Sequence, residues 1–223
     1  QLIRKAILKA INVPKFVHNS NRGNAMVAKG PLPPNFFNYD HLEQDHFNLE
    51  EAKSILTQQG IDSMVINFDF PRIALTRMIK IEFIKHELKK IGIHLNVRAH
   101  HSWEELDRAI LDDSAQLFYN GGRSDIIGDS YNILYGFFHS KSILNSLKYH
   151  EPLVDKWLNM AIQESDPEKR KKLYEKIVAK ILDDTPAIFL YHNIPNFAYN
   201  KQRIKNIITN PYGIIKFNHI QLY

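Results

Sequence analysis

The sequence has no cysteine, so it can form neither disulfides nor cysteine-ligated metal sites, and it fits an oxidising or a reducing compartment equally well. It also lacks any apolar run near the roughly 20 residues needed to cross a bilayer. Its first residues lack the charged start and apolar block of a signal peptide. The formal charge is only +5, and its lysines are scattered over predicted helix faces. We therefore expect neither membrane insertion nor nucleic-acid binding by this chain.

Motifs of enzyme and metal chemistry are missing as well. No glycine-rich phosphate loop, nucleophile elbow or HExxH helix is present. His100 and His101 are adjacent, so on a strand they would point to opposite faces and could not easily share a metal. The sequence predicts no catalytic residue, no metal site and no cofactor, and a hydrolase or metal enzyme is the least supported hypothesis.

The centre of the chain predicts a strand, a helix and a second strand. Residues 63–70 and 93–99 are rich in β-branched or aromatic residues and nearly alternate between apolar and polar side chains. Pro71 is predicted to open the intervening helix, because a first-turn residue needs no amide hydrogen. Gly92 is predicted to end it. Two strands joined by a long helix are expected to be parallel, which makes the fold class α/β.

Apolar spacing in the central helix predicts which side chains are buried. Apolar residues recur every three or four positions as far as Ile91, with Met78 on the buried face and Ile79 widening it. Glu87 and Lys80 are both predicted to lie mostly outside that face.

The remaining segments predict further helices around this centre. Capping signatures begin helices at Asn48, Ser102 and Asp166. Periodicity predicts helices at 2–11, 49–59, 102–111, 151–164 and 166–182, and strands at 116–119 and 186–191. Residues 13–47 are proline-rich and predict a long loop, ordered or flexible. The tail, 193–223, is strand-like and turn-rich.

The loop 120–132 is the candidate ligand site, because it follows a strand end, where open α/β sheets bind ligands. It contains Arg123, Asp125, Asp129 and Tyr131, and Tyr119 precedes it. A carboxylate here could hold a ligand ammonium. The aspartates could equally bond their own backbone in a turn. Arg72 and Arg77 are either anion partners or exposed surface residues.

The order of these segments resembles the carboxy-terminal half of the family 5 extracellular solute-binding proteins, the peptide and nickel receptors of ABC importers. The resemblance is carried by residues 3–11 (IRKAILKAI), 30–34 (GPLPP), 48–60 (NLEEAKSILTQQG), 84–97 (IKHELKKIGIHLNV), 121–134 and 165–187 (SDPEKRKKLYEKIVAKILDDTPA). These stretches lie in one order at family-like spacing and cover nearly the whole chain.

The resemblance implies the second lobe of a two-lobed binding protein, with a mixed sheet flanked by helices. Residues 1–191 would be this lobe, and residues 192–223 would return to a first lobe that the chain lacks. The chain itself would then be an excised piece or a mature chain. Asp125 matches the aspartate that holds a peptide's amino terminus, although Gly122 and Ser130 replace the family's tryptophan and proline. Arg77 lies near the position of a carboxylate-binding arginine in dipeptide receptors.

The function implied is that of a substrate-binding component of an ABC importer, without enzymatic activity. The expected ligand is an oligopeptide, a dipeptide or a similar small solute, held by Asp125, with Tyr119 and Tyr131 lining the cleft. The expected partners are the missing first lobe and an ABC permease complex, and the expected location is periplasmic or extracytoplasmic, with a lipid anchor on a missing amino-terminal segment as one option. The alternative is the solute-sensing domain of a transcriptional regulator with the same fold.

Overall fold

A three-stranded parallel sheet forms the centre of the computed structural model. The structure describes residues 1–21, 23–33, 39, 41–71, 75–121, 129–194, 197–208 and 215–222, with backbone alone at 75–77. The helices are α1 (Leu2–Ala10), α2 (Val13–Asn21), α3 (Leu49–Gln58), α4 (Leu75–Lys89), α5 (Trp103–Leu111), α6 (Ser130–Phe138), α7 (Pro152–Ala161) and α8 (Pro167–Asp184). The strands are β1 (Ala25–Val27), β2 (Met64–Pro71), β3 (Ile93–His100), β4 (Leu117–Phe118), β5 (Tyr191–Asn193), β6 (Ile204–Lys205) and β7 (Gln221–Leu222). A 3-10 turn, Phe217–His219, precedes β7.

The strand order of the central sheet is β3-β2-β4, and both pairings are parallel. Chain connections therefore leave β2 towards β3 on one side and then cross to β4 on the other. The antiparallel pairings among the described residues belong to two separate ribbons, β1 with β5 and β6 with β7. The predicted α/β class and the parallel strand pair are confirmed.

Two apolar cores stabilise the chain. The first includes Phe68 and Phe70 of β2, Ile81 and Leu88 of α4, and residues of α1, α2 and α3. The second packs α6, α7 and α8 around Leu134, and the loop residue Leu32 joins it. Each fully buried side chain of this size contributes about 1.5–3 kcal/mol from removal of apolar surface from water.

Local signals in the sequence set several element ends as predicted. Asn48 and Ser102 accept hydrogen bonds from the amides of Glu51 and Glu105, at 3.1 and 3.2 Å. Asp166 caps α8 in the same way. Gly92 adopts a φ of +80°, the left-handed conformation expected after α4.

Residues 13–47 are not the continuous loop that their prolines predicted. Residues 13–21 form α2, whose second residue is Pro14. Asn12 begins this helix, because its side chain accepts a hydrogen bond of 2.9 Å from the amide of Lys15. Proline is tolerated there, since first-turn amides have no partner within the helix. Val13 and Phe16 are buried, and β1 follows soon after.

The prediction that Pro71 opens the central helix was also wrong. Pro71 is the last residue of β2, and the described part of α4 begins at Leu75. The predicted buried face of α4 was also wrong at three positions. Met78 and Ile79, predicted to be buried, are 37% and 61% exposed, whereas Glu87, predicted to lie outside that face, is only 3% exposed. The buried carboxylate of Glu87 has a partner, since Lys90 donates to it at 2.7 Å.

Two further boundaries differ from the prediction. The loop 120–132 was expected to extend to Asn132, but α6 begins at Ser130, with Asp129 as its cap. The strand expected at 186–191 is confined to β5, which begins at Tyr191. Just before it, Phe189 donates its amide to the side chain of Gln44 at 3.0 Å rather than to a neighbouring strand.

Candidate functional site

The carboxyl ends of β2 and β4 meet at one edge of the sheet. Phe68 and Asp69 pair with Leu117 and Phe118, and the amide of Tyr119 donates to the carbonyl of Asp69 at 2.9 Å. Chain connections diverge between these two strands, which is where open α/β sheets leave a crevice for ligands. Tyr119 therefore starts the candidate loop from a backbone position fixed by the sheet.

Tyr119 belongs to a cluster of polar groups at this edge. Its hydroxyl lies 2.9 Å from the hydroxyl of Tyr191, on β5. The Nζ of Lys80, on α4, donates to the same Tyr191 hydroxyl at 2.6 Å and lies 4.2 Å from the centre of its ring. All three side chains are half-buried. We call Lys80, Tyr119 and Tyr191 the hydroxyl cluster.

Positive charge beside Tyr191 changes its acidity. Burial raises the pKa of Tyr191, but the hydrogen bonds from Lys80 and Tyr119 and the charge of Lys80 outweigh burial and hold the pKa below the usual value of 10.0. The hydroxyl cluster therefore presents a polarised phenol and a cation at the carboxyl edge of the sheet. Sequence reasoning missed Lys80 and Tyr191, because the two are 111 positions apart in the chain.

Asp129 and Tyr131 lie on the other side of the candidate loop. The carboxylate of Asp129 accepts from the amide of Tyr131 at 2.9 Å, so it caps α6. It also accepts from the guanidinium of Arg170 and from the hydroxyl of Tyr174, the latter at 3.1 Å. Asp129 thus joins α6 to α8, and a ligand ammonium at Asp129 would compete with Arg170.

The Tyr131 side chain packs along its own helix, α6, rather than against the hydroxyl cluster. Its ring is stacked on that of Tyr135, with centroids 5.4 Å apart. Burial, and to a smaller extent Tyr135, raises its pKa. Tyr131 packs against the second core, whereas Tyr119 packs against the first. The structure therefore brings Asp129 and Tyr131 together and places Tyr119 in a separate cluster.

Three of the predicted site residues lie, entirely or in their side chains, outside the described residues. Arg123 and Asp125 lie outside the described residues. Arg77 lies in the first turn of the described part of α4, and its side chain is outside them too. Their roles, and the ligand-binding roles of Asp129, Tyr119 and Tyr131, remain predictions.

A buried ion pair stiffens the sheet next to this edge. Asp69 is fully buried, and both of its carboxylate oxygens accept from Arg98 of β3. His100 lies 2.6 Å from the same carboxylate. The guanidinium of Arg98 also donates to the carbonyl of Ser114 at 2.7 Å, which ties β3 to the segment before β4. The sequence alone does not predict that Asp69 and Arg98 meet, because their contact depends on the register between β2 and β3.

Comparison with known proteins decides the family. The family model for bacterial extracellular solute-binding proteins, family 5 Middle, matches residues 1–145. The chain belongs to this family. Membership confirms the resemblance found in the sequence, and it confirms a binding protein rather than an enzyme. Family 5 members are periplasmic or extracellular, and no helix in the described ranges combines the length and apolarity that a membrane span would need.

Curated relatives of this family 5 chain include two bacterial binding proteins. Heme-binding protein A of Haemophilus influenzae is 27% identical over an alignment of 226 positions, which covers 96% of this chain and 40% of that protein. The dipeptide-binding protein of Escherichia coli is 24% identical over 99% of this chain and 42% of that protein. The chain thus spans about two-fifths of the length of these relatives.

Solved structures confirm the fold. HbpA2 from Haemophilus parasuis superposes with a TM-score of 0.85 at 24% identity, covering 100% of this chain and 45% of that one. The periplasmic binding protein DppA from Helicobacter pylori, in complex with the peptide STSA, gives a TM-score of 0.79 at 23% identity, covering 99% of this chain and 44% of that one. The family 5 chain therefore has a periplasmic-binding-protein-like fold.

Proposed function

We propose that the protein is the substrate-binding component of an ABC importer and that this chain is its second lobe. The chain belongs to family 5, and relatives named for peptide binding match it over most of its length. Residues 1–191 form the lobe in this proposal, and residues 192–223 return to the first lobe. The proposed partners are that lobe and an ABC permease, with a lipid anchor on a preceding segment.

The hydroxyl cluster at the carboxyl edge of the sheet is the observation that carries this proposal. A half-buried cation and two hydroxyls lie together there, beside the divergence point of the strands. A ligand or an opposing lobe that covered this edge would find hydrogen-bonding partners already in place.

The proposed ligand is a peptide or a similar small solute. Asp125 binds its ammonium group by a charge-assisted hydrogen bond, and Tyr119 and Tyr131 line the cleft. Arg77 takes the opposite, carboxylate end of the ligand. Closure of the two lobes about a hinge would then exclude water from these contacts and strengthen them.

Calorimetry of the protein in its full natural length, with a mixture of short peptides, tests this function. We expect saturable peptide binding, reduced at least about a hundredfold by Asp125→Asn, because the charge-assisted bond to the ammonium is lost. The matched control is Asp107→Asn, which removes one carboxylate from an exposed position on α5. It should leave affinity unchanged.

Two outcomes separate the parts of the proposal. Unchanged affinity in Asp125→Asn would show that this aspartate does not hold the ammonium, while the receptor function would stand. Absence of binding to every peptide would contradict a peptide receptor. The 223-residue chain alone should bind much more weakly than the full protein, because a single lobe provides only part of the contacts.

A further inference from the structure

A second concave surface lies on the side of the chain formed by the end of α6, the segment that follows it, and α7. It is a groove of about 540 Å³. Its lining includes His139, Lys141, His150, Asp155, Lys156 and Met160. None of these residues belongs to the hydroxyl cluster or to the loop 120–132. We call this surface the α7 groove.

His139, one of the residues that line the α7 groove, has a buried polar atom without a partner among the described residues. The residue is 3% exposed. Its Nδ1 accepts from the amide of Lys141 at 3.1 Å, so the neutral imidazole carries its proton on Nε2. Within the part of the chain that the structure describes, Nε2 has no hydrogen-bond partner. A buried donor without an acceptor is unfavourable, and an acceptor oxygen brought by a ligand would satisfy it.

Asp155 does not supply that acceptor, because its carboxylate lies beside the other ring nitrogen, with Oδ1 3.7 Å from Nδ1 of His139. One carboxylate oxygen accepts from the amide of Ser140 at 2.9 Å, and the other from the Ser140 hydroxyl at 2.5 Å. Asp155 thereby fixes the backbone that carries His139. The Nε2 of His139 is left for a group that does not come from these neighbours.

Charge at the groove favours an anion. Lys141 and Lys156 are exposed, and among the described residues neither ammonium forms an ion pair. Two ammonium groups therefore face one carboxylate, that of Asp155, whose oxygens are already bonded. Met160, 47% exposed, adds an apolar surface to the same lining. Such a lining suits a molecule with an acidic head and a short apolar part.

We propose that the α7 groove is a second binding site, specific for a small organic anion bearing a carboxylate or phosphate group. One anionic oxygen accepts from Nε2 of His139, and Lys141 and Lys156 balance the charge. The apolar part of the ligand packs against Met160. This site is independent of the peptide cleft and does not rest on the transport function proposed above.

Titration of the purified chain followed by NMR tests the site. Sodium butyrate and inorganic phosphate are the two probes, and butyramide, which has no charge, is the control ligand, all at constant ionic strength. We expect saturable shifts at the amides of residues 139–141 and 150–163, and a shift of the His139 Nε2–H signal, with butyrate or phosphate. The probe that saturates identifies the preferred head group.

A pair of double variants separates a specific site from general charge attraction. Lys141→Gln with Lys156→Gln should weaken anion binding at least tenfold. Lys172→Gln with Lys176→Gln removes the same charge from exposed positions on α8 and should leave binding unchanged. The proposal is overturned if neither anion gives saturable shifts, if butyramide binds as well as butyrate, or if both double variants weaken binding equally.

Discussion

Arg98 binds both carboxylate oxygens of Asp69 across the β2–β3 pair, from Nε at 2.9 Å and from Nη2 at 2.8 Å. The two residues are directly opposite each other in the strand register. Asp69 is fully buried, so its charge is stabilised by Arg98 and His100 rather than by water. The pair fixes the register next to the edge at which Tyr119 begins the candidate loop.

Removing one partner of this pair should destabilise the chain strongly. Arg98→Met leaves a buried carboxylate without its main partner, and we expect a loss of about 3–5 kcal/mol in the free energy of unfolding. Urea unfolding measures it. Glu82→Gln breaks the exposed pair with Lys85, whose side chains are 61% and 47% exposed, and should cost about 1 kcal/mol or less. Similar losses in both variants would contradict the role given to Asp69.

Two glycines with the same backbone conformation should differ in their tolerance of alanine. Gly60 and Gly92 have φ values of +69° and +80°, but a Cβ at Gly60 meets nothing within 4 Å, whereas one at Gly92 would lie 2.4 Å from the carbonyl oxygen of Asp62. Gly60→Ala should cost about 1 kcal/mol from conformation alone. Gly92→Ala should cost roughly twice that or more, since backbone must also shift. Equal unfolding midpoints for the two variants would refute the steric argument.

The acidity of Tyr191 should depend on Lys80. Lys80→Met removes the cation and its hydrogen bond, so the pKa of Tyr191 should rise. Phenolate absorbance against pH measures this, and Tyr191→Phe identifies which titration belongs to Tyr191. Lys85→Met, which removes a cation from an exposed position on the same helix, should leave the titration in place. A titration insensitive to Lys80→Met would mean that the hydroxyl cluster does not form.

His192 should make the stability of the chain fall in mild acid. Burial lowers its pKa below 6.5, only partly offset by the hydrogen bond to the backbone of Gly30, and its Nε2 has no partner among the described residues. The folded state therefore favours the neutral ring, so the stabilisation is fully present above pH of about 6.5 and is lost as the pH falls through the lower folded-state pKa. His192→Gln should reduce this slope in the free energy of unfolding.

The matched variant for that measurement is His86→Gln, which removes an exposed histidine from α4. It should leave the slope unchanged. If His192→Gln and the wild-type chain lose stability equally between pH 7 and pH 5, other groups must cause the acid sensitivity.

Local chemistry explains which elements the sequence predicted well. The caps at Asn48, Ser102 and Asp166 and the left-handed Gly92 involve partners within a few residues, so a short window of sequence contains the whole interaction. The parallel β2–β3 pair was also predictable, because a helix as long as α4 leaves few other connections.

The wrong predictions concern residue types that occur in more than one kind of secondary structure. Pro14 lies inside α2 because Asn12 caps it, whereas Pro71 ends a strand, and proline is permitted in both settings. Asp129, placed in a loop by its neighbours, instead begins α6.

The sequence predicted the sheet edge at which the candidate site lies, but it did not predict most of the side chains that meet there. The rule on strand ends indicated the edge at Tyr119, yet Lys80 and Tyr191 meet there only through the packing of α4 and β5. Burial of Asp69 likewise depends on register between strands. Such pairs, far apart in the chain, carry no local signal.

Strand β5 contributes the Tyr191 hydroxyl to the cluster while its backbone pairs with β1, at Met26 and Val27 among others, and the tail begins at its end. One short strand therefore holds both a side chain of the hydroxyl cluster and the backbone from which the tail departs. A displacement of the Tyr191 side chain would act on a backbone that is hydrogen-bonded to β1, so the cluster and the β1–β5 ribbon should respond to such a displacement together.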